Sequence, residues 1–154
     1  MIGIALYKPD IPQNTASIIR LSACFNINVH IIQPCGFNLK DSRFKRVVMD
    51  YINVAKINNY DDYESFKDKN KSSRIILMTT KTNNLYNSFN FKKNDIILFG
   101  RESAGVPNKV HKTVNEKLKI PMIKNKRSLN LATSVGIVLA EQIRQIKKIK
   151  WKLI

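Results

Sequence analysis

Acidic residues are scarce in this chain: 11 Asp and Glu stand against 27 Lys and Arg, a formal net charge of +16. Such an excess argues against a basic partner and points to a polyanion, with RNA or DNA the commonest. The chain is also crowded with Lys, Asn and Ile, the drift expected of an A/T-rich genome. Even biased chains usually balance Lys with Glu, however. Cysteine is rarer still. Cys24 and Cys35 are not spaced as metal ligands and read as reduced thiols, small buried hydrophobes of a cytoplasmic protein. No run of about 18 apolar residues occurs, so neither a transmembrane helix nor a membrane partner is expected. The opening MIGIALYKPD has no basic n-region and no cleavage-like site, and reads as a first strand.

The usual catalytic signatures are missing too. His30 and His111 have no partner at catalytic spacing, which leaves a Ser/His/Asp or Cys/His nucleophile without support. There is no H-E-x-x-H and no cysteine pair, so no metal is expected. The spacing Gly100 to Gly105 mimics part of a phosphate loop, but Val106 and Pro107 stand where Lys and Ser/Thr belong. No GxGxxG follows the first strand, which argues against a dinucleotide-binding Rossmann domain.

What is present is an alternation. The chain has 154 residues, 44% of them hydrophobic, which suits one domain, 1–154, with a real core. Ile2–Tyr7, Val29–Gln33, Arg74–Thr79, Asp95–Phe99 and Lys117–Pro121 are short apolar runs, as buried parallel strands are. Helical patterns lie between them at Thr15–Phe25, Phe44–Tyr51, Tyr60–Lys69 and Val106–Lys112. Pro12 suits an early helix or turn position. The last helix, Leu129–Lys148, repeats Leu131, Val135, Leu139, Ile143 and Ile146 near a 3.6 period. Strands alternating with helices predict an α/β fold with a mainly parallel sheet. The Asn-rich stretch Lys81–Lys93 reads as a long loop near a sheet edge. The basic tail KKIKWKLI suits RNA contact and the end of a packed helix equally well.

Three stretches hold candidate sites. Ile120–Leu139 runs from an apolar strand end and a proline, through a basic polar loop, into a helix opening at Ser128 and Asn130. Its polar loop beside a buried helix suggests a site folded into the core. Phe99–Pro107 offers a strand end, a glycine open to close approach and the Glu102 carboxylate. A ligand site at a strand's carboxyl end and an ordinary βα turn both fit. Asn14–Arg20 places a long cation in an apolar helix. Phosphate contact and a snorkelling arginine both fit.

Taken together, these stretches resemble the SPOUT superfamily of RNA methyltransferases, in its SpoU branch. Asn14 to Arg20 is similar to its Asn-x-Gly-x-x-x-Arg motif. Phe99-Gly100-x-Glu102-x-x-Gly105 and Ile120-Pro121-Met122 to Arg127-Ser128-Leu129-Asn130-Leu131 match the next two, in family order and spacing. Leu6-Tyr7-x-Pro9-x-Ile11-Pro12, His30-Ile31-Ile32-x-Pro34-x-Gly36-Phe37, Asp50-Tyr51 and Thr79-Thr80-Lys81 extend the likeness over nearly the whole chain. They bring it nearest to the minimal members that methylate the wobble cytidine or uridine of tRNA. The larger members' extra RNA-binding domain has no room here.

The resemblance implies helices on both sheet faces, a C-terminal deep trefoil knot and a homodimer in which the last helix turns an apolar face to the partner. It implies S-adenosylmethionine as methyl donor, S-adenosylhomocysteine as product, no metal, and the anticodon stem-loop of tRNA as partner. Arg20 and Asn14 would serve catalysis. Met78, Thr79, Gly100, Glu102, Ile120, Met122, Ser128, Leu129 and Asn130 would form the cofactor site, with Glu102 and Asn130 also supporting the catalytic pair. Arginine is a poor base, so Arg20 would work with an RNA phosphate, which its planar fork grips well. Ala16 replaces the motif glycine, and Ala140 lies where close relatives often carry a tyrosine linked to dimer contact or tRNA binding. The alternatives are 2′-O-methylation of ribosomal RNA or another tRNA position, or a non-catalytic RNA-binding factor of the same fold.

Overall fold

The computed structural model describes residues 2–124 and 126–146. The basic tail falls outside them. Among the described residues six strands form one parallel sheet: β1 (Gly3–Tyr7), β2 (Asn28–Ile32), β3 (Lys56–Tyr60), β4 (Arg74–Met78), β5 (Asp95–Phe99) and β6 (Glu116–Leu118). Their order is β3-β2-β1-β5-β4-β6, and every pairing is parallel. The helices are α1 (Pro12–Phe25), α2 (Ser42–Val48), α3 (Tyr51–Val54), α4 (Tyr63–Lys69), α5 (Asn108–Thr113) and α6 (Leu131–Ile146).

The central strands are apolar on both faces because both faces are covered. Ile4, Leu6, Ile76, Ile97 and Phe99 point to one side, where Ile18 of α1 and Leu131, Val135, Val138, Leu139 and Ile143 of α6 close over them. Ala5, Tyr7, Ile75, Leu77, Ile96 and Leu98 point to the other, under Tyr63 and Phe66 of α4 and Val110 of α5. Fully burying one such Ile or Leu stabilises the fold by about 1.5–3 kcal/mol. A third cluster joins Ala16 and Ile19 of α1 to Phe44 and Val48 of α2. The expected α/β class, parallel sheet and helices on both faces are all present.

Several boundaries differ from the sequence pattern. Helix α1 begins at Pro12, whose missing N–H costs nothing in a first turn. It ends on Asn26 in the left-handed region, φ 54°. The single helix expected over Phe44–Tyr51 is two, broken at Met49, φ +58°. Helix α4 starts at Tyr63, not Tyr60, because Tyr60 closes a strand and Asp62 caps the helix by accepting from Ser65 N–H at 2.8 Å. Strand β3, which no apolar run announced, is a polar edge strand. Helix α5 starts two residues after Val106, beyond Pro107, and α6 starts at Leu131 because Asn130 caps it, its Oδ1 accepting from Thr133 N–H at 3.2 Å.

Strand β6 is shorter than the expected Lys117–Pro121. After Leu118 the chain leaves β4 and bridges to Leu85 at Lys119. That bridge places the 79–94 loop against the β6 edge, where one 3-10 turn, Tyr86–Ser88, shapes it. The same loop is tied to α6: Gln145 Oε1 accepts from Phe91 N–H at 2.9 Å and Gln145 Nε2 donates to Phe89 O at 3.0 Å.

Candidate active site

In an open parallel sheet the carboxyl ends of the strands leave a crevice. Here the segments leaving β4, β5 and β6, together with the approach to α1 and the loop before α6, surround a cavity of about 530 Å³. That volume suits a nucleotide-sized ligand. Met78 and Thr79 line it from the end of β4, Gly100 and Glu102 from the end of β5, and Ile120 and Met122 from beyond β6. Ser128, Leu129 and Asn130 close it from the loop before α6, and Asn14 borders it from α1. The three candidate stretches, distant in sequence, therefore meet at one place, with the end of β4 beside them.

Hydrogen bonds tie those stretches together. Glu102 Oε2 accepts from Asp10 N–H at 2.8 Å and Glu102 Oε1 from Asn14 Nδ2 at 3.0 Å. Asn14 Oδ1 in turn accepts from Asn130 Nδ2 at 3.0 Å. Asn14 is buried, so both ends of its amide need partners, and it has them. The chain Glu102–Asn14–Asn130 links the β5 loop, α1 and the start of α6 in one run.

The glycine loop is closed on itself. Arg101 and Gly105 exchange backbone hydrogen bonds of 3.1 and 2.8 Å. A Cβ on Gly100 would sit 2.6 Å from the Gly105 backbone, closer than any real contact, so only glycine fits there. Gly105 needs no space but holds φ +67°.

A second clamp went unseen in the sequence. Asp10 forms an ion pair with Arg101 and accepts from Ser103 through its N–H at 3.0 Å and its Oγ at 2.7 Å. Hydrogen bonds from Arg101 above all, with Ser103, hold the Asp10 carboxyl well below the usual carboxylate range. The clamp fastens the approach to α1 onto the β5 loop. The only hint was opposite charge at positions 10 and 101, and charge alone does not pair residues that far apart. Burial, with the charge of Glu102, pushes the nearby Cys35 thiol up to about 11, so this cysteine is inert at neutral pH. Both cysteines are free, but Cys24 is exposed and Cys35 half-buried, so neither is the buried hydrophobe the sequence suggests.

Arg20 stands apart. It is exposed on α1, does not border the cavity, and its guanidinium lies 5.1 Å from the Tyr51 ring centroid. The structure thus gathers Asn14 and the nine expected cofactor positions, and leaves Arg20 outside. His111, Lys81, Lys119 and Arg127, to which the sequence pattern assigns no site role, add a basic side to the cavity. Among the described residues no group of three or more His, Cys, Asp or Glu is placed to hold a metal, and no helix is long and apolar enough to cross a membrane.

A parallel α/β sheet with a ligand-sized cavity at its carboxyl edge, walled by three hydrogen-bonded motifs, defines an α/β protein with a candidate small-molecule site. Comparison with known proteins narrows this. The model of the SpoU rRNA Methylase family matches residues 1–140. A tRNA (cytidine(34)-2′-O)-methyltransferase of Beijerinckia indica subsp. indica is 39% identical over 145 residues, 93% of this chain and 91% of that one. A solved structure concerned with 2-OH methylation of C/U34 on tRNA superposes with a TM-score of 0.89 at 34% identity, covering 94% of this chain and 95% of the other. The AdoMet-bound rRNA methyltransferase of Sinorhizobium meliloti shares the fold, with a TM-score of 0.84 at 22% identity over 93% of this chain and 56% of that one. The chain belongs to the SpoU methylase family.

Proposed function

We propose that this protein transfers a methyl group from S-adenosylmethionine to the ribose 2′-hydroxyl of the wobble nucleotide, cytidine or uridine 34, of tRNA. The observation that carries the reading is the Glu102–Asn14–Asn130 chain on the cavity at the sheet's carboxyl edge. The relatives' substrate supplies the rest.

The cavity residues fit the donor. Gly100 borders the space from the β5 loop, Met78, Ile120, Met122 and Leu129 offer apolar walls for an adenine, and Thr79 and Ser128 offer hydroxyls. S-adenosylmethionine supplies the electrophilic methyl when bound. The protein's own work is positioning, which carries much of the barrier reduction in such transfers. Asn14, fixed by Glu102 and Asn130, holds the α1 end of the site at a set distance from the donor loops. Arg20, exposed and free of carboxylate partners among the described residues, would grip an RNA phosphate and orient the nucleotide, the 2′-hydroxyl proton passing by way of that phosphate to solvent water. Because Arg20 lies outside the cavity of its own copy, a homodimer that presents it to a shared RNA suits this chemistry. The tie between Gln145 of α6 and the 79–94 loop suits a knotted crossing. The protein works on tRNA in the cytoplasm, without a metal.

The test is binding and turnover together. S-adenosylhomocysteine binds the purified protein by calorimetry, and labelled methyl passes from the donor to tRNA. Binding without transfer to any RNA would favour the non-catalytic alternative.

A further inference from the structure

The basic side of the cavity has no assigned role in the methyl-transfer scheme. His111 projects from α5 and borders the same space as Lys81, from the loop after β4, and Lys119, from beyond β6. Lys119 is steadied by donating to Asn83 Oδ1 at 3.2 Å. Lys117 of β6 also acts electrostatically on His111. Among the described residues none of Lys81, Lys117 and Lys119 is paired with a carboxylate. Glu116, the acid next in sequence, acts on Arg74 instead. Glu102, the carboxylate bordering the cavity, already accepts from Asp10 and Asn14. Arg101 is committed to Asp10. Arg127 borders the cavity from the loop before α6 and adds to the same sign. Cations without carboxylate partners that line one partly enclosed space favour an anion there.

We propose that Lys81, His111 and Lys119 form an oxyanion subsite in the cationic wall of the cavity, filled by an RNA phosphate or by the carboxylate of the methyl donor. The proposal rests on the methyl-transfer reading for the identity of those two ligands.

A proton follows the anion. In the free protein, burial first and then the charges of Lys81 and Lys117 hold the imidazole below its ordinary value, so His111 is neutral near pH 7. An anion bound beside it cancels the lysine field and favours imidazolium, which adds a second donor to the site. Binding therefore takes up a proton and tightens as the pH falls.

Calorimetry on the full chain reads this directly. S-adenosylhomocysteine and an anticodon stem-loop RNA are titrated separately at about pH 8 and about pH 6, in two buffers of different ionisation enthalpy, where one linked proton changes affinity by up to about tenfold per pH unit. Proton uptake with the first ligand assigns the subsite to the donor's carboxylate, and uptake with the RNA assigns it to a phosphate. His111→Gln abolishes the uptake. Lys117→Gln, which leaves the lining intact, moves the pH midpoint upward. Uptake with neither ligand, or uptake that survives His111→Gln, overturns the subsite. Failure of S-adenosylhomocysteine to bind at either pH counts against methyl transfer itself, and the RNA titration still decides the subsite.

Discussion

Asn14 and Glu102, 88 positions apart in the chain, are joined by a 3.0 Å hydrogen bond in which the amide donates to the carboxylate. The same carboxylate takes Asp10 N–H on its other oxygen. Glu102 is thus an acceptor twice over, and it is chosen for that. Glu102→Gln keeps the shape but turns an NH₂ toward one of two donors. Leaving such a donor unsatisfied costs about 1–3 kcal/mol. Urea denaturation is expected to show that loss, with weakened S-adenosylhomocysteine binding beside it. Unchanged stability would mean the network is not closed.

The two glycines of the β5 loop fail for different reasons. In Gly100→Ala the new methyl meets the Gly105 backbone at 2.6 Å, and the resulting overpacking costs about 1–3 kcal/mol. Cofactor affinity falls with it, since the loop borders the cavity. In Gly105→Ala there is open space but φ is +67°, at a cost of about 1–2 kcal/mol for the left-handed region. Gly105→Asn, tolerant of that region, recovers most of the loss. Calorimetry and thermal unfolding of the three variants check the order.

Arg20→Ala is expected to lower methyl transfer by at least about 100-fold through lost positioning. Affinity for S-adenosylhomocysteine stays unchanged, because Arg20 does not border the cavity. Arg20→Lys keeps the charge but loses the planar fork, and recovers little. Full transfer in Arg20→Ala would remove it from the reaction.

Stability carries a histidine signature. His30 is buried in β2, its Nδ1 2.8 Å from Tyr60 Oη, which itself accepts from Asn70 Nδ2 at 3.3 Å. Burial lowers the His30 pKa to about 4. An unfolded imidazole titrates near about 6.5, so between these values the unfolded chain binds more protons and stability falls as the pH is lowered, by roughly 3 kcal/mol in all. Above that window the contribution is flat. Denaturation curves of the protein and of His30→Gln, taken from pH 7 downward, are expected to converge by that amount. Parallel curves would contradict it.

The core was legible because burial on both faces forces continuous apolar runs, as in Asp95–Phe99, whose bounds the sequence pattern matched. Strand β3 was not, because Lys56–Tyr60 lies at the sheet edge. Its side chains are mostly solvated, and its place is held by backbone bonds to β2 that leave no pattern. The break at Met49 was hidden for a related reason: a single left-handed residue carries no periodic trace. In the site, the motifs of Asn14, Glu102 and Asn130 were readable because their side chains are a chemical set at family spacing. Asp10 carries no such signal because it sits at an unspecified position of the Pro9-x-Ile11-Pro12 stretch, and its partner lies 91 residues away. The basic wall of Lys81, His111 and Lys119 was lost in a chain that is basic everywhere.

One ribose hydroxyl decides the function. Purified protein is incubated with S-adenosylmethionine and unmodified tRNA, and ribose methylation is mapped nucleotide by nucleotide. A 2′-O-methyl group is expected at cytidine or uridine 34, absent when the donor is withheld and in Arg20→Ala. Methylation confined to another position, or to ribosomal RNA, would contradict it.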